Sequence, residues 1–117
     1  MPAELIDVEM LRNTVALWGS DGPQHLQALV EGFAADTRRA LTRLREAAAR
    51  GDGAAVAEEA HRLKGGSASL GATGLAAECI ALESCAREGR NAELPVRIDR
   101  VQEVLEATLG LFRTLRI

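Results

Sequence analysis

Apolar residues recur along this chain at steps of three and four, the spacing that places side chains on one face of an α-helix. Short clusters rich in glycine, serine, aspartate and asparagine interrupt the pattern and are typical of helix ends and caps. We therefore predict five helices, at about residues 7–18, 24–50, 53–70, 75–88 and 92–115.

Each predicted helix has one apolar stripe, which it can bury only against another helix. Short connections between long helices make sequential neighbours antiparallel. The predicted fold class is all-α: an antiparallel up-down four-helix bundle, formed by the second to fifth helices. The additional short N-terminal helix would cover one end or side of this bundle. The length of 117 residues fits a single domain over residues 1–117.

The composition supports helices, because alanine, leucine, glutamate and arginine dominate while β-branched and aromatic residues are sparse. The net charge of -3 and the presence of only three aromatic residues argue against nucleic-acid binding. No stretch is apolar enough for a membrane span, and residues 1–10 lack the basic start of a secretory signal. We therefore expect a cytoplasmic protein without membrane association.

The two cysteines, Cys79 and Cys85, fall six residues apart in the fourth predicted helix. This spacing places them on different helix faces, where they are poorly positioned to pair with each other. We expect both to be reduced, packed thiols, as is usual in cytoplasmic proteins.

His61 lies on the face of the third predicted helix that is opposite its apolar stripe. The apolar stripe of that helix lies within about 40° of one line, and His61 lies about 140° from its centre. His61 should therefore point away from the core. Positions three, four and seven residues away share its face, and four of these six are alanine or glycine: Ala54, Ala57, Glu58, Lys64, Gly65 and Ala68. Such a flat surface around one reactive side chain suits docking of another protein, and Lys64 could bring a positive charge.

Gly65 and Gly66 contradict local helix preference, because each glycine inside a helix costs about 1 kcal/mol relative to alanine. The apolar stripe continues through Ser67 and Leu70, so we expect the helix to continue as well. A glycine at position 65 would clear the approach to the imidazole. A kink or a close helix contact would also explain the pair.

Other chemistries find little support in the sequence. There is no Cys-x-x-Cys or His-Glu-x-x-His for zinc, and no hydrolase triad is apparent. The run Lys64-Gly65-Gly66-Ser67 has the reverse order of a Walker phosphate loop. We interpret His25 as structural or solvated, and the pair Glu58-Glu59 as a solvated face.

Residues 60–72, AHRLKGGSASLGA, resemble the signature of histidine phosphotransfer (HPt) domains. That pattern has a histidine, then a lysine three, a glycine four and a small residue six positions later, with leucine-glycine at nine and ten. The resemblance continues through Leu75, Cys79, Leu82-Glu83 and residues 86–89. Gly66 departs from it, since many members have serine there. The Lys-Gly-Gly run is also similar to chemotaxis-kinase phosphotransfer domains, but Leu70-Gly71-Ala72 favours a phosphorelay HPt protein.

The resemblance implies that His61 accepts a phosphoryl group from a receiver-domain aspartate and passes it reversibly to another receiver. It makes Lys64 the residue that stabilises the phosphoryl charge. The docking surface would comprise Ala57, Glu58, Arg62, Gly65 and Ala68. The expected partners are response-regulator receiver domains, a hybrid histidine kinase, or both.

The same resemblance implies a phosphocarrier without ATP-dependent kinase activity of its own. It would have no cofactor or metal of its own, because Mg²⁺ belongs to the receiver. We expect a monomer, since one docking face requires no second copy. Two alternatives remain: a helical adaptor that binds receivers or kinases without carrying phosphate, and one domain of a larger hybrid kinase. The sequence leaves open which imidazole nitrogen is modified.

Overall fold

A computed structural model describes residues 5–115, within which all regular secondary structure is helical. The five helices are α1 (Val8–Leu17), α2 (Gly22–Ala49), α3 (Gly53–Ser69), α4 (Thr73–Arg87) and α5 (Leu94–Thr114). Short 3₁₀ turns at Gly19–Asp21 and Asn91–Glu93 lead into α2 and α5. The five predicted helices are therefore confirmed, and their starts lie within two residues of the predicted positions.

The displaced starts have local causes. Helix α2 begins two residues before its predicted start because Pro23 lies in the first turn, where a missing N–H costs nothing. Helix α5 begins two residues later than predicted, since the residues before it form a separate 3₁₀ turn. The first turn of α5 also contains a proline, Pro95.

Glycines in the left-handed conformation end the helices that precede the loops. Gly51 and Gly71 have φ of 70° and 72°, a region that L-residues with a side chain rarely adopt. At the second of these, the Gly71 N–H donates to Ala68 O and the Ala72 N–H donates to Ser67 O. This hydrogen-bond pair satisfies the last carbonyls of α3 and reverses the chain direction into α4.

The four long helices form an antiparallel bundle in which α2 packs against α3 and α5, and α4 packs against α3 and α5. Cross-helix pairs run in opposite directions along each partner: Arg43–Glu59 and Phe33 beside Gly66 between α2 and α3, and Arg45–Asp99 and Arg38–Glu106 between α2 and α5. The predicted four-helix bundle with an additional short N-terminal helix is confirmed.

Helix α1 covers the end of the bundle where α3 turns into α4. The Asp7 N–H donates to Gly71 O at 2.8 Å, and the Gly74 N–H donates to Leu5 O at 3.1 Å. A second apolar cluster forms beneath α1: Ile6, Leu11, Val15, Leu26 and Leu70. The C-terminal end of α3 is therefore anchored by backbone hydrogen bonds and by apolar packing.

The main core is a continuous cluster contributed by all four bundle helices. Every member of the predicted α3 stripe is buried: Val56, Ala60, Leu63, Ser67 and Leu70.

Cys79 and Cys85 are free and fully buried, as predicted for packed thiols. They lie on different faces of α4, and both are enclosed because α4 packs between α3 and α5. None of the helices in the described part of the chain is long and apolar enough to cross a membrane.

Candidate functional site

His61 projects from the middle of α3 into solvent, with 61% of its side chain exposed. Its neighbours in sequence along the core stripe, Ala60 and Leu63, are buried. The imidazole therefore stands on the face of α3 opposite the core, as the helical periodicity predicts. A group in this position is accessible to a reactive atom on another protein.

Glu83 of α4 holds one nitrogen of this imidazole. The His61 Nδ1 atom lies 3.2 Å from Glu83 Oε1, and Arg87 Nε donates to Glu83 Oε2 at 2.9 Å. The hydrogen bond from Arg87 is the main cause that lowers the pKa of Glu83, and the hydrogen bond from His61 adds to it. Because an ionised carboxylate only accepts, Nδ1 is the nitrogen that donates.

This geometry selects one tautomer of the neutral imidazole. With its proton on Nδ1, the neutral ring of His61 has an unprotonated Nε2. Sequence reasoning did not assign Glu83 a role, because it lies on the next helix and 22 positions from His61. Only the packing of α4 against α3 brings the two side chains together.

Lys64 and Gly65 occupy the next helical turn after His61. Lys64 is half-buried, and within residues 5–115 it forms no ion pair. A Cβ added at Gly65 would meet no atom within 4 Å, so no close helix contact requires glycine there. At Gly66 a Cβ would lie 3.6 Å from the Phe33 ring, an ordinary contact. Helix α3 continues through both glycines. Because Gly65 has no side chain, the space next to the imidazole of His61 is open.

The structure corrects one member of the predicted docking surface. Glu58, Arg62, Gly65 and Ala68 are exposed, whereas Ala57 is only 1% exposed and belongs to the core. Ala57 lies about 40° from His61 on the side of α3 that faces α4. The close packing of α4 against α3 covers that side, so Ala57 cannot contact a docked protein directly.

The interpretation of Glu58-Glu59 as a solvated face is wrong for Glu59. Its side chain is 15% exposed, and its two carboxylate oxygens accept from Arg43 Nε and Arg62 Nε, each at 2.8 Å. Burial by itself raises the pKa of Glu59, but the hydrogen bonds and charges of the two arginines together outweigh that effect, and the net direction is downward. Glu59 therefore ties α2 to α3 as an ionised group.

His25 lies at the exposed start of α2, away from this arrangement. Its ring meets that of Trp18 edge to face, with centroids 4.5 Å apart. This contact packs the end of α1 against α2, as the interpretation of His25 as structural or solvated requires.

The comparisons with known proteins identify the family of this chain. The family model described as Hpt domain matches residues 28–110, more than two thirds of the chain. The chain is 29% identical to histidine-containing phosphotransfer protein B (HptB) from Pseudomonas aeruginosa PAO1. The two structures superpose with a TM-score of 0.84 over 96% of this chain and 94% of that chain. The chain matches no curated protein sequence significantly. The chain thus belongs to the Hpt domain family and has a phosphotransfer role in phosphorelay signalling.

Proposed function

We propose that His61 is the phosphoacceptor of this phosphorelay protein and that its Nε2 atom is the nucleophile. The observation that carries the proposal is an exposed imidazole whose Nδ1 is held by the Glu83 carboxylate. That contact leaves Nε2 unprotonated and directed away from α4. A neutral imidazole uses the lone pair of its unprotonated nitrogen as a nucleophile.

The transfer step forms one bond and breaks one. The Nε2 lone pair attacks the phosphorus of a receiver's aspartyl phosphate in line, and the bond between phosphorus and the aspartate oxygen breaks. The aspartate leaves as a carboxylate, and the proton stays on Nδ1. The positive charge that develops on the ring is stabilised by the adjacent Glu83 carboxylate. The reverse step returns the phosphoryl group to a second receiver.

The surrounding residues contribute positioning and charge, which dominate phosphoryl transfer. Lys64 has no competing carboxylate among the described residues and stabilises the phosphoryl oxygens. Gly65 leaves room for the approach of the receiver. Arg87 is a positioning residue, because it orients Glu83 and keeps it ionised. The exposed side chains of Glu58, Arg62 and Ala68 form the surrounding docking surface.

The partners in this proposal are receiver domains of response regulators or of hybrid histidine kinases. The receiver supplies Mg²⁺, and this chain needs no cofactor and no nucleotide of its own. It acts as a cytoplasmic monomer that carries phosphate without ATP-dependent kinase activity. The Lys64-Gly65-Gly66-Ser67 run lies within α3, which supports this reading since a phosphate loop precedes its helix.

The test is transfer from a radiolabelled phosphoreceiver to wild type, His61→Gln and His25→Gln. His25 provides the matched control because it is the only other histidine of the chain. We expect wild type and His25→Gln to accept label that is lost in acid and stable in base. Label on His61→Gln would overturn the assignment. Binding without transfer, across several receivers, would favour the adaptor alternative.

A further inference from the structure

A triad of charged residues lies on the seam between α2 and α3, on the other side of His61 from Glu83. Glu59 Oε1 accepts from Arg43 Nε, and Glu59 Oε2 accepts from Arg62 Nε, each at 2.8 Å. Glu59 is nearly buried, while 50% of the Arg43 side chain and 56% of the Arg62 side chain are exposed. One interior carboxylate therefore holds two surface guanidinium groups in place.

The arginines retain hydrogen-bonding capacity beyond this contact. Arg43 uses only its Nε, and its two Nη groups have no partner within residues 5–115. Arg62 uses Nε and Nη2 toward Glu59, which leaves Nη1 available. A guanidinium with free Nη groups is a planar fork of donors that matches a carboxylate.

The position of the triad relative to His61 follows from the geometry of α3. Arg62 lies about 100° around the helix from His61, on the α2 side, and Gly65 lies between them at about 40°. His61 is held from the opposite side by Glu83 of α4. A protein docked over Gly65 and His61 would therefore meet the two arginines at its edge.

We propose that Arg43 and Arg62, held by Glu59, bind an acidic side chain of the docked receiver and thereby fix its orientation over His61. This inference rests on the proposed function. The groove around the triad has balanced charges, since it is lined by Arg43, Arg50 and Arg62 and by Glu46, Glu58 and Glu59. Long-range attraction is therefore small, and the arginines act at short range through orientation.

The first test compares Arg43→Gln with Arg45→Gln in transfer from a phosphorylated receiver domain that labels wild type. Arg45 is the matched control, because it lies on the same helix but pairs with Asp99 of α5. We expect Arg43→Gln to raise the half-saturating receiver concentration roughly three- to tenfold, with the maximal transfer rate unchanged. Arg45→Gln should leave both quantities unchanged. Equal behaviour of the two variants would overturn the inference.

The second test uses Glu59→Gln, which makes the protein more positive by one charge while it loosens both arginines. If the arginines act by fixing the orientation of the receiver, Glu59→Gln should bind the receiver more weakly than wild type. If they act only through general charge attraction, the more positive Glu59→Gln protein should bind it more tightly. A lower half-saturating concentration in Glu59→Gln would therefore overturn the inference. Circular dichroism checks that the variant is folded, and Arg43→Gln decides the question if it is not.

Different results would contradict the phosphoacceptor role of His61 and the orienting role of the two arginines. If no receiver labels wild type, the phosphoacceptor assignment of His61 fails. If wild type is labelled but Arg43→Gln saturates like Arg45→Gln, only the role of the arginines fails.

Discussion

The His61 Nδ1 atom lies 3.2 Å from Glu83 Oε1, a contact between α3 and α4 that leaves the other imidazole nitrogen, Nε2, without this partner. The carboxylate is itself oriented by Arg87 on the next turn of α4. The three residues form a chain of hydrogen bonds in which Arg87 orients Glu83, and Glu83 in turn orients the imidazole of His61. The imidazole of His61 is therefore positioned by a helix other than its own.

Glu83→Ala should lower the transfer rate on the order of tenfold or more, because the ring can then rotate and populate the other tautomer. Glu83→Gln should retain more activity, since its amide oxygen can still accept from Nδ1. Nitrogen chemical shifts of His61 measured by NMR would report the tautomer directly. Wild-type rates and an unchanged tautomer in Glu83→Ala would contradict the positioning role.

Gly65→Ala should raise the free energy of unfolding by about 0.5–1 kcal/mol, because alanine is the better helix former and meets no neighbour. The same substitution should slow phosphoryl transfer by placing a methyl group in the approach to His61. Gly110→Ala is the matched control, since this α5 glycine also has open space around it. Urea unfolding and transfer kinetics on both variants measure the two effects. A Gly65→Ala protein that is more stable and fully active would show that the space is not used.

Lys64→Gln should slow transfer at saturating receiver concentration, because a cation that is unpaired within residues 5–115 is lost beside the reacting phosphoryl group. We expect a reduction on the order of tenfold, with partial rescue in Lys64→Arg. Single-turnover kinetics separates this effect from docking. A change confined to the half-saturating concentration would assign Lys64 to docking instead.

The stability of the protein should depend on the ionisation of Glu59. The folded state lowers the pKa of this carboxyl, so its contribution is present above the unfolded-state pKa of about 4.3 and is lost as pH falls through the folded value. We expect wild type to be more stable than Glu59→Gln at pH 7, with a difference that shrinks toward pH 3. Urea unfolding across this range measures the difference. A constant difference would show that the ion pairs do not contribute.

Cys79 should resist alkylation in the native protein. Burial raises the pKa of its thiol to about 12, so the reactive thiolate is scarce at pH 8, and the sulfur is inaccessible. Mass spectrometry after treatment with N-ethylmaleimide should show modification only under unfolding conditions. Rapid labelling of the folded protein would contradict the packing of α4.

Much of the fold could be read from the spacing of apolar residues. The α3 stripe and the terminating glycines are local features, and the helix boundaries followed to within two residues. The starts of α2 and α5 were displaced because a proline and a 3₁₀ turn, rather than the apolar pattern, decide where those helices begin. The exposure of His61 was predictable for the same reason, since the stripe defines the opposite face of its own helix.

The sequence by itself determined the helical class, the position of His61 on an exposed face and the glycine beside it. Only the tertiary structure decided what lies on either side of that histidine. Periodicity in one helix carries no information about which neighbour covers each flank, so Ala57 was assigned to the surface although α4 buries it. Glu83 and Arg43 are distant in sequence from the residues they bind, and the packing of α4 and α2 against α3 brings them there.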